Sequence, residues 1–367
     1  MATALIQQIL PEEYSRLSEQ EADERITLAK ALLGDKLVIL GHHYQRDEII
    51  KFADYTGDSF RLSQASAARS NADYVVFCGV HFMAESADIL GADHQRVVLP
   101  NLTAGCSMAD MVTREQVEDL WDTLAQVTDQ RCIPITYMNS SAAIKSFCGE
   151  HGGAVCTSSN CAAVFKWAFG EGDKIVFFPD EHLGRNTAIF SMGYSDEDVT
   201  VWDPLIDPEQ NDLEALKRCK FIVWKGWCSV HGRFSAEQVA RARKDFPDVT
   251  VIVHPECRKE VIEAADGFGS TDYIVKRVNE ATKGSVWAIG TEINLVHRLA
   301  KEHPDKTIFC LDPIVCPCST MYRIHPSYLC WVLENLLKCV VVNEIVVSDR
   351  DKVYARAALD KMLELAG

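Results

Sequence analysis

Three apolar, strand-like runs far apart in the chain each lead into a loop carrying a cysteine among small or polar residues. Val97-Val98-Leu99 leads to Ala104-Gly105-Cys106, and Phe221-Ile222-Val223-Trp224 leads to Gly226-Trp227-Cys228-Ser229-Val230-His231. Ile308-Phe309-Cys310-Leu311 leads to Val315-Cys316-Pro317-Cys318. One thiolate from each junction would leave a fourth coordination site open on a shared metal centre, and an open site is what lets a metal do chemistry. Singly, each reads as a structural thiol; together, one per third of the chain, they favour a metal. Three thiolates without histidine neighbours suit an iron–sulfur cluster better than zinc. The pair Cys228 and His231 keeps a zinc reading open, and spacing alone does not choose between Cys316 and Cys318.

Polar pairs at strand ends form a second group. His42 and Tyr44, two residues apart, offer an imidazole and a phenol, and His254 with Glu256 repeats that spacing with a carboxylate. Such pairs can share acid and base roles when burial separates their pKa values, whereas a plain turn around Pro255 explains the second pair equally well. Hydroxyls precede helical stretches at Gly57-Asp58-Ser59 and Thr157-Ser158-Ser159-Asn160, and Gly269-Ser270-Thr271 lies in a loop before Tyr273. Capping accounts for each alone, but with Tyr137 and Asn139 they make a set of neutral donors suited to a substrate with several negative oxygens. No G-x-G-x-x-G or Walker loop is present.

These residues need elements to hold them. The first 34 residues read as helix, with Gly34 as the stop. Short strands follow at Lys36–Leu40, Cys132–Thr136 and Val249–Val253, each ending at one of the polar clusters and each followed by a helical stretch. Further strand–helix units start at Tyr74–Phe77, Lys174–Phe178 and Tyr273–Val275. Strands alternating with helices predict an α/β fold with parallel sheets whose ligands bind beyond the carboxyl ends of the strands. We expect three similar α/β units: 1–112 with the N-terminal helix, 113–228 and 229–324, with 325–367 packing back on the first. Asp196–Glu214, with eight acidic residues and no Lys or Arg, reads as a solvated excursion away from the site.

Composition sets the outer bounds. A chain of 367 residues exceeds the usual size of a single core, and a net charge of −16 with no basic stripe argues against a nucleic-acid surface. No run reaches membrane-spanning length and Met1–Gln8 lacks a leader pattern, so a cytoplasmic protein is expected. Fourteen cysteines without any Cys-x-x-Cys do not read as a disulfide framework. Cys78, Cys132, Cys310 and Cys339, in or beside strand-like runs, read as small buried hydrophobes.

The motifs, taken in order, resemble the quinolinate synthase family along nearly the whole chain. They are Gly41-His42-His43-Tyr44-Gln45, Thr56-Gly57-Asp58-Ser59, Cys78-Gly79-Val80-His81-Phe82-Met83-Ala84-Glu85, Ala104-Gly105-Cys106-Ser107-Met108-Ala109-Asp110, Tyr137-Met138-Asn139 and Cys156-Thr157-Ser158-Ser159-Asn160. Further along come Cys228-Ser229-Val230-His231, His254-Pro255-Glu256-Cys257, Gly290-Thr291-Glu292 and Cys316-Pro317-Cys318-Ser319-Thr320-Met321. The resemblance implies three αβα domains in a pseudo-threefold triangle around a central active site with a [4Fe–4S] cluster. It also implies a transferase of NAD biosynthesis that condenses iminoaspartate with dihydroxyacetone phosphate to quinolinate, losing phosphate and two waters. Cys106, Cys228 and Cys318 would hold the cluster; the Cys-x-x-Met register ending at Met321 selects Cys318, although the proline follows Cys316. His42, Tyr44, His254 and Glu256 would be catalytic. Ser59, Met83, Tyr137, Asn139, Ser158, Ser270 and Thr271 would bind substrate. Pathway logic adds transient contact with the L-aspartate oxidase that makes iminoaspartate. The alternatives are a zinc-dependent lyase or hydrolase and a non-enzymatic iron–sulfur sensor.

Overall fold

A computed structural model describes residues 9–68, 71–314 and 317–365. They fall into two compact units, one within 9–106 and 317–347, the other within 107–314 and 348–365.

The first unit has one sheet. β1 (Leu37–His42), β2 (Tyr55–Gly57), β3 (Tyr74–Cys78) and β4 (Arg96–Val98) run parallel in the order β2-β1-β3-β4, and Glu344–Ile345 adds an antiparallel edge beside β4. Every residue of β1 is buried, as a strand covered on both faces requires. The N-terminal stretch read as one helix is two, Glu12–Ser15 and Glu19–Leu33. Ser18 and Glu21 form a reciprocal capping box that starts the second afresh. Helix Pro326–Leu337 joins this unit through Glu334, which accepts from the Tyr14 hydroxyl at 2.7 Å and from two Arg25 nitrogens at 2.7 and 2.6 Å.

The second unit has two all-parallel sheets. β5 (Cys132–Tyr137), β6 (Ala154–Cys156), β7 (Lys174–Phe178), β8 (Val199–Trp202) and β9 (Phe221–Trp224) lie in the order β6-β5-β7-β9-β8. β10 (Val249–Val253), β11 (Gly267–Phe268), β12 (Val286–Gly290) and β13 (Thr307–Cys310) lie in the order β11-β10-β12-β13. Helix Asp349–Glu364 also belongs here: Arg350 donates to Glu150 at 2.8 Å. A Cβ added to Gly149, on helix Ala142–Glu150, would stand 1.9 Å from the Tyr354 carbonyl oxygen, so that helix and Asp349–Glu364 meet at backbone contact. The segment 325–367, expected as one block on the first unit, is therefore divided between the two units at 347.

Two sequence expectations are corrected. The acidic stretch 196–214 is not only a solvated excursion, because it supplies β8, with Val199 and Trp202 buried beside β9. The alternation Val199-Thr200-Val201-Trp202 was the strand signal, masked by the charges around it. Tyr273–Val275 is not a strand but lies inside helix Thr271–Asn279, whose buried residues Thr271, Ile274 and Val278 keep helical spacing. Tertiary burial of that face overrides the β-propensity of Tyr-Ile-Val.

A common winding relates the three sheets. In each, the first strand (β1, β5, β10) lies between the second and the third, and a later strand (β4, β9, β13) lies beyond the third. The winding reverses at the first strand, and the crevice beyond its carboxyl end is where doubly wound sheets bind ligands.

Candidate active site

The ends of these first strands carry the polar pairs. In the first unit, His42 closes β1 and is buried, and its Nδ1 accepts the Tyr44 backbone N–H at 3.1 Å. That bond places the imidazole proton on Nε2. The Tyr44 ring stands edge-on to His42 with centroids 4.7 Å apart. Met83 is buried on helix His81–Leu90, and the His81 N–H bonds the Ala104 carbonyl at 2.9 Å, fixing the start of that helix to the loop that carries Cys106. Ser59 opens helix Ser59–Ala68, but the cap is Asp58, whose carboxylate accepts the Arg61 N–H at 2.9 Å. The Ser59 hydroxyl is thus not consumed as the N-cap.

Cys106 and Cys318, distant in sequence, sit on loops of this unit that are pinned together. Arg323 donates to the Thr103 carbonyl at 2.7 Å, and Asn101 Nδ2 donates to the Arg323 carbonyl at 3.1 Å. The Cys318 carbonyl accepts the Tyr322 N–H at 3.0 Å, and buried Met321 receives Gln45 Nε2 at 3.6 Å. The Met321 register therefore connects the Cys318 turn to the segment after His42. Cys316, the other sequence candidate, lies outside the described residues.

The second unit assembles a denser group. Donor atoms of Cys228, His231 and Glu256 all lie within 4.8 Å of one another. His231 Nδ1 is 2.8 Å from Glu256 Oε2, and its Nε2 is 3.2 Å from the Thr291 hydroxyl. The His254 ring stacks on His231 with centroids 4.3 Å apart and 17° between planes. His254 Nδ1 accepts the Glu256 N–H at 3.4 Å. Burial, reinforced by His231, pushes the His254 pKa down to about 3, so the ring is neutral near pH 7. For Glu256, burial opposes ionisation, but the two imidazoles and hydrogen bonds from His231 and Tyr137 outweigh it and hold the carboxyl below its ordinary value.

Tyr137 closes β5 and is buried. Asn139 follows, its Oδ1 buried and without a hydrogen-bond partner among the described residues. The turn is held by the Ser140 hydroxyl donating to the Tyr137 carbonyl at 2.8 Å and by buried Lys145 donating to the Ser140 carbonyl. Half-buried Ser158 lies in the turn after β6, where Thr157 N–H bonds Asn160 Oδ1 at 2.8 Å. Ser270 caps helix Thr271–Asn279 through the Tyr273 N–H at 3.3 Å, and Thr271 is buried at its first turn. The loop reading of 269–271 thus becomes a cap.

The cysteines separate by environment. Cys106, Cys228 and Cys318 are half-buried and follow β4, β9 and β13 in chain order. Burial pushes the Cys78 and Cys330 thiols up to about 12 and those of Cys132, Cys219 and Cys310 up to about 11, so they stay protonated. No described cysteine forms a disulfide. Cys339 is not a buried hydrophobe as expected: it is exposed at φ 58°, in the turn after helix Pro326–Leu337. The sequence reading also missed Thr291 as the His231 partner and Asp180 and Asn186 as buried polar groups of the same unit. Only the Gly290-Thr291-Glu292 motif pointed to one of them.

Among the described residues, no helix is long and apolar enough to cross a membrane. The family model described as "NadA: Quinolinate synthetase A protein" matches residues 24–364. A quinolinate synthase of Corynebacterium glutamicum is 56% identical over 98% of this chain and 91% of its own. Those of Herpetosiphon aurantiacus and Acidobacterium capsulatum are 53% and 55% identical, over 97% and 96% of this chain and 96% and 95% of theirs. The chain belongs to the quinolinate synthetase A family of enzymes.

Proposed function

We propose that the protein forms quinolinate from iminoaspartate and dihydroxyacetone phosphate, releasing phosphate and two waters, as a step of NAD biosynthesis. The observation that carries this reading is the shared position of the three polar pairs. His42 with Tyr44, Tyr137 with Asn139, and His254 with Glu256 each follow the first strand of a sheet, at the winding reversal.

Cys106, Cys228 and Cys318 would hold a [4Fe–4S] cluster. Support comes from the donor set: half-buried thiols on loops rather than core thiols kept protonated by burial, with two of the loops braced through Arg323. Such a cluster, when bound by three thiolates, supplies an open iron acting as a Lewis acid toward a hydroxyl or carboxylate. The side chains supply the rest. His42, protonated at Nε2, donates to a triose oxygen, and the Tyr44 phenol shares that contact. Glu256, kept ionised, accepts a proton during isomerisation or dehydration, and neutral His254 relays it. Ser59, Tyr137, Asn139, Ser158, Ser270 and Thr271 hold carboxylate and phosphate oxygens with neutral donors, and Met83 gives the apolar wall.

Anaerobic purification with iron and sulfide assays tests the reading before any turnover is measured. About four irons and four sulfides per chain are expected, falling in Cys106→Ser, Cys228→Ser and Cys318→Ser, followed by quinolinate formation from the two substrates. Loss in Cys316→Ser with retention in Cys318→Ser would move the third ligand. The grouping of Cys228, His231 and Glu256 favours one second reading, a zinc site. A colourless protein that retains zinc and activity in air would establish it, and iron without turnover would indicate a sensor.

A further inference from the structure

We propose that Asp180 is a positioning residue that fixes the Cys228 loop, with Asn186 fixing the His254–Cys257 turn from the other end of the same short helix. The inference rests on the reading of Cys228 as a cluster ligand. Asp180 is the N-cap and Asn186 the last residue of helix Glu181–Asn186, which follows β7, and both are fully buried.

At the helix start, Asp180 Oδ1 accepts the Leu183 N–H at 2.5 Å, and the Cys228 backbone N–H reaches the same carboxyl. The Glu181 N–H donates to the Gly226 carbonyl at 2.8 Å. A Cβ on Gly226 would stand 2.2 Å from the Pro179 carbonyl oxygen, so only glycine admits this approach. At the far end, Asn186 Nδ2 donates to the Pro255 carbonyl at 2.9 Å and the Cys257 carbonyl at 2.7 Å. One rigid turn of helix therefore sets the spacing between the loop of Cys228 and the turn of His254 and Glu256. Asp180 Oδ2 has no hydrogen-bond partner among the described residues, a cost that capping alone does not explain because Asp212 caps helix Leu213–Arg218 in the same way from an exposed position.

The test compares Asp180→Ala, Asp180→Asn and the control Asp212→Ala. Amide hydrogen exchange of the metal-free protein reads the loop without any cluster. Asp180→Ala should speed exchange at 226–231 about tenfold, the loss of one buried cap bond, while Asp212→Ala leaves that segment unchanged. In the reconstituted protein, Asp180→Ala should lose iron to a chelator about tenfold faster and alter the cluster's EPR signal, and Asp180→Asn, which keeps an acceptor oxygen, should restore both. Unchanged exchange at 226–231 in Asp180→Ala overturns the positioning role. So does equal iron loss in Asp180→Ala and Asp212→Ala. A wild type that takes up no iron refutes the cluster reading instead and leaves the exchange result to decide the role of Asp180.

Discussion

Replacing His254 with glutamine should flatten part of the acid limb of this protein's stability. His254 is 3% exposed, and burial with the stacked His231 ring lowers its pKa from 6.5 to about 3, against an opposing pull from Glu256. A histidine depressed in the folded chain takes up its proton only on unfolding. Below the unfolded value near 6.5 the unfolded state therefore binds more protons, and stability falls with falling pH until the folded value near 3 is reached. Each pH unit inside that window is worth about 1.4 kcal/mol. Between about pH 8 and about pH 5, His254 alone should remove about 2 kcal/mol. Glu256 acts in a different window: its lowered pKa adds stability above the ordinary carboxylate value and loses it only at more acid pH. Glutamine cannot titrate, yet its side-chain oxygen can still accept the Glu256 N–H. Urea unfolding of the metal-free protein, followed by tryptophan fluorescence at both pH values, gives the comparison. The wild type should lose about 2 kcal/mol more than His254→Gln, because the other titrating groups cancel in the difference. Equal losses would mean that His254 carries its proton in the folded chain, and the neutral-imidazole reading would fail.

Glu256→Gln keeps the shape but removes the carboxylate, and should lower quinolinate formation by about 10²–10⁴-fold with iron per chain unchanged, as measured by paired turnover and iron assays. Gly149→Ala should cost about 1–3 kcal/mol through overpacking, since its Cβ would meet the Tyr354 carbonyl. A lowered Tm, with faster hydrogen exchange across 349–364, checks it. Arg323→Ala removes the donor to the Thr103 carbonyl and should speed loss of iron to a chelator, while His254 and Glu256, in the other unit, keep their pH behaviour.

Much of this architecture was legible because parallel strands buried on both faces announce themselves as short apolar runs. Leu37–Leu40, Cys132–Thr136 and Val249–Val253 were visible for that reason, and so were the polar residues that end them. Periodicity failed where burial and composition disagreed. The acidic neighbours of Val199–Trp202 hid an edge strand, and Tyr273–Val275 has strand-like residues but a helical burial pattern. Partners distant in sequence were beyond local patterns altogether. Nothing near Arg323 says that it braces a loop 220 positions earlier, and nothing near Thr291 says that it faces His231. The cysteines were legible as a set only because each comes after an apolar strand run, β4, β9 or β13, in chain order.

Two buried carboxyls lie near one another in the second unit, and their surroundings push them apart. Asp180 is raised by burial first and by the nearby Glu256 second. Glu256 is equally buried but has two imidazoles and the Tyr137 hydroxyl in contact with it, and these reverse the effect of burial. When two carboxyls share a low-dielectric region, the one with more donors ionises and its charge keeps the other neutral. Glu256 is thus the carboxyl held in its ionised form, whereas burial and the Glu256 charge raise the pKa of Asp180. The same separation suits Asp180 to a structural role at the Cys228 loop, since burial and the Glu256 charge disfavour a second negative charge there. Exchanging the two environments would demand a donor set around Asp180 that helix Glu181–Asn186 does not offer, since its first free N–H groups are spent on Asp180 Oδ1 and the Gly226 carbonyl.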